Sequence, residues 1–103
     1  MSILRKSAKG RECTVRIHGI CNHNPETTVL AHLNGGGMGM KQNDLFGCFA
    51  CSSCHETLDG GYVRMGLSRL TRDLYHLQAM QRTQEIWLKE GLIKVVDKRS
   101  KND

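Results

Sequence analysis

Cys51 and Cys54, in the run Cys51-Ser52-Ser53-Cys54-His55, are spaced so that two thiolates can reach one metal ion across a tight turn. A structural zinc takes four ligands in a tetrahedron, and Cys13 and Cys21 are the obvious second pair. Their separation is looser than usual, so a strand end and the loop after it must bring both sulfurs round. Four-cysteine Zn2+ is therefore the expected staple. Two other readings stand beside it. A redox dithiol of the thioredoxin kind needs a βαβ context, which this chain does not offer. Cysteines without metal would be small core residues, and that is the expectation for the odd one, Cys48.

His55 directly follows Cys54, so a zinc-pinned turn would hold its imidazole rigidly at a helix start. Asp59 lies four residues on, where both side chains would share a helix face and could bind one divalent ion. Alternatively, His55 is a fourth zinc ligand or a surface histidine, and Asp59 a turn residue before Gly60-Gly61. Histidine as a residue type exchanges protons near neutrality and can serve as a general base. His32 is a candidate for that role. A lone histidine is more often structural, and the interest of His32 lies in the groups downstream of it: Asn43-Asp44, then Cys51-x-x-Cys54-His55.

These groups need elements to position them. Residues 13–17, Cys-Thr-Val-Arg-Ile, are rich in β-branched residues and read as a short strand. Turns follow at His18-Gly19 and Asn24-Pro25. Residues 26–33 read as a second strand, with a start that could be a helical turn, and it carries His32 near its end. Residues 34–41, Asn-Gly-Gly-Gly-Met-Gly-Met-Lys, form a glycine-rich loop suited to a linker or to close approach by a ligand. It is no Walker A loop, since no Gly-Lys-Ser/Thr follows. Residues 45–50 read as another short strand, and 51–58 as a turn entering a helix.

Residues 67–90 carry the clearest helical pattern. Leu67, Leu70, Leu74, Leu77 and Leu88 fall near one face, with Met80 and Trp87 beside it. Arg69, Arg72, Arg82 and Lys89 lie off that stripe. The leucine face is expected to pack into the core. Gly91 is a natural C-cap, and residues 92–96 are expected to add a short strand. Residues 1–12 form a basic lead-in with a turn of helix stopped by Gly10, and 98–103 a polar tail.

The chain has 103 residues, enough for one domain. Hydrophobic residues make up 39% and aromatics 5%, a thin core that calls for a staple and so agrees with the cysteines. The formal net charge of +5 favours a polyanionic partner such as nucleic acid, although ordinary surface charge reads the same way. No apolar run approaches the about 18 to 20 residues of a membrane span. Arg5, Lys6, Lys9, Arg11 and Glu12 interrupt what a signal peptide would keep apolar. A cytoplasmic chain with no membrane partner is expected, a setting in which clustered cysteines bind metal more often than they form disulfides.

The order His32, Asn43-Asp44, Cys51-x-x-Cys54-His55 resembles that of the HNH nucleases, the ββα-metal fold. More narrowly, the chain is similar to the small phage and prophage nucleases of the YbcO type, relatives of the recombination-associated nuclease Ref. The matching segments are Leu4-Arg5-Lys6 to Arg11-Glu12-Cys13, Ile20-Cys21-Asn22, Asn24-Pro25-Glu26-Thr27, Leu30-Ala31-His32, Lys41, Asp44-Leu45, Ala50 to His55, and Thr83 to Gly91. Together they span nearly the whole chain.

The resemblance implies an α+β fold in one domain over 1–103. A zinc-stapled ββα-metal core would occupy 13–59 and a long C-terminal amphipathic helix 67–90. It implies a metal-dependent DNA endonuclease in which His32 is the general base that activates water. Asp44 would take the central Asn/Asp position, orienting His32 or shaping the loop. His55 would be a catalytic metal ligand, with Asp59 a candidate second ligand for Mg2+ or Mn2+. Many HNH enzymes carry an acidic ligand immediately before the base histidine, and this chain has Ala31 there. That departure sustains an alternative, a zinc-stapled DNA-binding module without catalysis. A further alternative is an adaptor in a phage recombination or replication complex. DNA is the expected partner, with a recombination protein as a second. Lys41, Arg64, Arg69 and Arg72 are the candidates for contacts to backbone phosphates.

Overall fold

The computed structural model describes residues 2–33 and 43–96. The glycine-rich run at 34–41, Lys41 included, and the tail at 98–103 lie outside the described residues.

The chain opens with α1 (Ile3–Ser7), capped by Ser2, whose hydroxyl accepts the Arg5 N–H at 3.1 Å. The sheet is a two-stranded hairpin of β1 (Val29–Ala31) and β2 (Cys48–Ala50), antiparallel, with Leu30 opposite Phe49. A 3-10 turn leads into each strand, Pro25–Thr27 before β1 and Asp44–Phe46 before β2. The Asn24 and Asn43 side chains hold these turns by accepting the N–H groups of Glu26 and Leu45. Residues 26–33 thus begin as a helical turn, and only the second half of 45–50 is strand.

Successive strand residues point to opposite faces. Leu30 and Phe49 share one face with Trp87 and Ala8. Ala31, Cys48 and Ala50 take the other, against Cys13, Val15, Ile17, Cys51, Cys54 and Leu58. Trp87 meets Phe49 edge-on, the rings 5.8 Å apart at 83°. Helix α2 (Ser52–Glu56) follows β2 almost at once and widens into a π-type turn over Thr57–Gly61. That turn is closed by Gly60 at φ 148, which a side chain would resist. Helix α3 (Arg69–Lys89) starts on Ser68, whose hydroxyl accepts the Thr71 N–H at 3.0 Å, and stops before Gly91 at φ 76, the expected C-cap. The Trp87 indole N–H donates to the Ser7 hydroxyl at 2.7 Å, and Arg11 pairs with Glu90, so α1 and the segment after it are tied to the end of α3.

Three expectations about elements are overturned. Residues 13–17 are not a strand. Thr14 makes one backbone bond, to the Phe49 carbonyl at 2.8 Å, and Arg16 then turns into the left-handed region at φ 55. The β-branched side chains are there for burial: Thr14, Val15 and Ile17 are at most 3% exposed. Helix α3, in turn, points its leucines outward. Leu70 is 80% exposed, Leu74 53% and Leu77 46%, while the buried face is Arg72, His76, Ala79, Thr83 and Trp87. The reason is the open edge of β2, which no third described strand covers. Thr83 Oγ1 accepts the Phe49 N–H at 3.1 Å and shares a 2.9 Å hydrogen bond with Thr14 Oγ1. Arg82 donates to the Thr14 carbonyl at 2.7 Å. Buried backbone groups need partners, and here α3 supplies them with polar side chains. Residues 92–96 form no strand either, and Leu92 and Ile93 pack beside Trp87. Among the described residues, no helix is long and apolar enough to cross a membrane.

Candidate metal centre and active site

Cys13 and Cys21 come from the bent segment before β1, Cys51 and Cys54 from the start of α2. Their four sulfurs lie within 4.8 Å of one another. The Cys21–Cys51 sulfur separation is 3.8 Å, the edge expected of a tetrahedron with metal–sulfur bonds of about 2.3 Å. It is far beyond a disulfide bond of about 2.05 Å, and all five cysteines are free. A hydrogen bond with Cys54 pulls the Cys13 thiol down to about 4, and the same bond drives the Cys54 thiol well above its usual value. Burial pushes Cys21 up as well. Four thiols this close compete for negative charge, a conflict that a cation among them removes. Four cysteines so placed can bind a metal ion such as zinc. Cys48 is outside this group. It is fully buried, and burial pushes its thiol up to about 12, as for an inert core residue.

His32 follows the last residue of β1, and Asp44 opens the turn that feeds β2. The hairpin register pairs Ala31 with Cys48 and so sets these two ends side by side. His32 Nε2 lies 2.8 Å from Asp44 Oδ1. Asp44 also accepts a short hydrogen bond from the Ser2 hydroxyl and a longer one, 3.5 Å, from Arg5. The Ser2 bond, followed by that of His32, holds the Asp44 carboxyl below the usual carboxylate range. An ionised Asp44 places the proton of a neutral His32 on Nε2 and leaves Nδ1 as the basic nitrogen.

The other candidate residues are more dispersed. His55 is half-buried in the last turn of α2. Asp59 lies in the π-type turn beyond it, so the regular helical spacing that would place both on one α-helical face is broken after Glu56. Among the described residues, the four cysteines are the one set of three or more metal-ligating groups this close together, and neither His55 nor Asp59 belongs to such a set. Arg64 is exposed and pairs with Glu56 at 2.5 Å. Arg69 is exposed on the first turn of α3. Arg72 departs from the surface role expected of it. Its guanidinium is buried, donates to the Leu58 carbonyl at 2.9 Å and to Asp73 at 2.7 Å, and covers the Tyr62 ring at 4.6 Å. Those partners consume the cation.

One residue escapes the sequence reading altogether. His76 on α3 is 3% exposed, with Nε2 3.0 Å from the Phe46 carbonyl and Nδ1 3.7 Å from Cys48 Sγ. A carbonyl only accepts, so Nε2 carries the proton. Burial, first of all, holds this imidazole below its usual value. By gripping Phe46, His76 fixes the turn that presents Asp44. The signal that would have revealed it is its place with Ala79 and Thr83 at helical spacing, a small and polar stripe that hydropathy passes over.

Fold and site define a small α+β protein: a hairpin, a short helix, a long C-terminal helix and a four-cysteine site able to bind metal. The chain belongs to the family described as "Putative nuclease YbcO", whose sequence profile matches residues 2–92. The "Putative nuclease YbcO" of Escherichia coli (strain K12) is 50% identical over 99 residues, covering 91% of this chain and 99% of the relative. The "Putative nuclease ybcO" of Enterobacteria phage 82 matches with the same identity and coverage. A solved structure of a putative bacteriophage protein from Escherichia coli str. K-12 substr. MG1655 superposes with a TM-score of 0.72 at 47% identity, over 86% of this chain and 100% of that one.

Proposed function

We propose that this chain is a single-domain, metal-dependent DNA endonuclease of the HNH type. The observation that carries the reading is the 2.8 Å contact between His32 and Asp44, which gives a histidine an oriented tautomer at the edge of a hairpin. His32 takes a proton from the attacking water, and Asp44 stabilises the imidazolium that results. His55 would be the imidazole ligand of a divalent ion, and Asp59, on the turn beyond α2, would be the candidate carboxylate. An imidazole with a carboxylate would accept several divalent ions, and Mg2+ or Mn2+ are the ones this reading names. When bound, that ion supplies charge stabilisation on the phosphate and the leaving oxygen. The four cysteines hold structural Zn2+ and fix the start of α2, and so the position of His55. Arg64 and Arg69, together with Lys41, contact backbone phosphates. A phage or prophage setting fits the relatives' sources, and a recombination role with a partner protein is part of the same proposal.

The test is cleavage of supercoiled or single-stranded DNA with Mg2+ or Mn2+. His32→Ala and His55→Ala are expected to abolish it, and digestion at the parent rate by either variant sinks the assignment. A second reading, a zinc-stapled module that binds DNA without cutting it, draws on Ala31, which is buried and stands where a ligand acid would be. It predicts binding with no cleavage under any divalent ion.

A further inference from the structure

A cavity of about 570 Å3 opens between α1 and β1, away from the four cysteines. Its walls include Arg5, Lys6, Lys9, Glu26, Thr28 and Leu30. Three of these are cations and one an anion. Lys6 and Lys9 are exposed and pair with no acid among the described residues. Thr28 is 5% exposed, and its hydroxyl is the one buried side-chain polar atom among the described residues that has no partner. A wall with surplus positive charge and an unsatisfied hydroxyl is built for an anionic, hydrogen-bonding ligand. Arg5 belongs to this wall and also reaches Asp44 at 3.5 Å, the carboxylate that holds His32. Cavity and His–Asp pair are therefore connected through one guanidinium.

We infer that the cavity between α1 and β1 seats the phosphodiester backbone of a nucleic-acid strand, with Lys6 and Lys9 as its phosphate contacts and Arg5 linking it to Asp44. This rests on the nuclease reading and adds to it a binding surface. The strand enters over α1 and runs along β1 toward His32. The basic lead-in is then part of the substrate interface. Arg72, which the sequence put forward for that task, is committed to the interior.

The experiment is fluorescence anisotropy with a labelled DNA duplex, across a salt series and without Mg2+ or Mn2+, for the parent, for Lys6→Ala/Lys9→Ala, and for Lys94→Ala as a surface control. Removing one lysine–phosphate pair lowers the slope of log affinity against log salt by about 0.9, so the double variant should lose about 2 from its slope and Lys94→Ala nothing. Lys6 and Lys9 are exposed, so both variants keep the fold, which an unchanged melting temperature verifies. A double variant with the parent's slope overturns the site. If that variant still nicks plasmid when Mg2+ or Mn2+ is restored, only the site has failed and the nuclease reading survives. A parent that shows neither binding nor nicking overturns both. A parent whose slope depends on Lys6 and Lys9 but which never nicks upholds the site and overturns catalysis.

Discussion

His32 and Asp44 lie twelve residues apart in sequence and 2.8 Å apart in space, because β1 ends where the turn into β2 begins. The contact is a product of the hairpin register, and a shift of one residue would turn His32 to the other face. Replacing Asp44 by Asn keeps the shape and removes the charge. Plasmid nicking by Asp44→Asn should fall by about 10²-fold, the low end of what a positioned general base contributes. Nicking within a factor of two of the parent would show that Asp44 does not serve His32.

The metal centre makes a prediction that discriminates between cysteines. Freshly purified, reduced parent protein should contain about one zinc per chain by elemental analysis. Cys51→Ser should lose it and melt at a lower temperature, whereas Cys48→Ser, outside the cluster, should retain it. A chelator should destabilise the parent as Cys51→Ser does, because the metal's binding energy is part of the folding energy. Zinc retained by Cys51→Ser would exclude the four-sulfur site.

The reversed face of α3 can be checked by exchanging a polar residue against an apolar one. Thr83→Val is isosteric but leaves the Phe49 N–H and the Thr14 hydroxyl short of a partner. It should cost about 1–3 kcal/mol, a drop of several degrees in melting temperature. Leu74→Ala removes a larger apolar group from a 53% exposed position and should change stability by only about 0.5 kcal/mol. The opposite ranking by thermal melting would restore the leucine face to the core.

His76 gives the fold a pH dependence of known sign. Burial holds it below 6.5, with Arg72 and His32 adding to that effect while the Phe46 carbonyl and Asp73 oppose it. As pH falls through 6.5, the unfolded chain takes up a proton that the folded chain refuses. Stability is therefore full above that pH and declines below it. Melting curves between about pH 8 and about pH 5 should show this decline in the parent and a shallower one in His76→Gln. Acid also strips the cysteine site in both proteins, so the difference between the two slopes is the measured quantity. Identical slopes would remove His76 as the cause.

The sequence was legible where local chemistry decides structure. Cys51-x-x-Cys54 at a helix start, the cap at Gly91, and the span of α3 all follow from residue type and spacing. It was misleading where a tertiary demand overrides a pattern. Residues 13–17 have strand composition, yet Arg16 turns the chain left-handed between Cys13, held beside Cys54, and Ile17, buried in the core. Leu70, Leu74 and Leu77 have helical spacing, yet the open edge of β2 needs hydroxyls and guanidinium groups more than methyls. Asp44 could be picked out as the partner of His32 only through a family likeness, because their contact is made by strand pairing. His76 carried no local mark at all.

The four sulfurs are drawn from positions 13, 21, 51 and 54, and this has a consequence for how the protein comes into being. A nascent chain that has emerged only as far as Ala50 owns two ligands and cannot close a tetrahedron. A metal held by all four sulfurs would wait for α2, and the Ser7–Trp87 and Arg11–Glu90 clasps wait for nearly the last turn of α3. Early residues are thus committed by late ones, a non-local order that slows folding. Closure of the fold is timed by the arrival of α3, whatever was made before it.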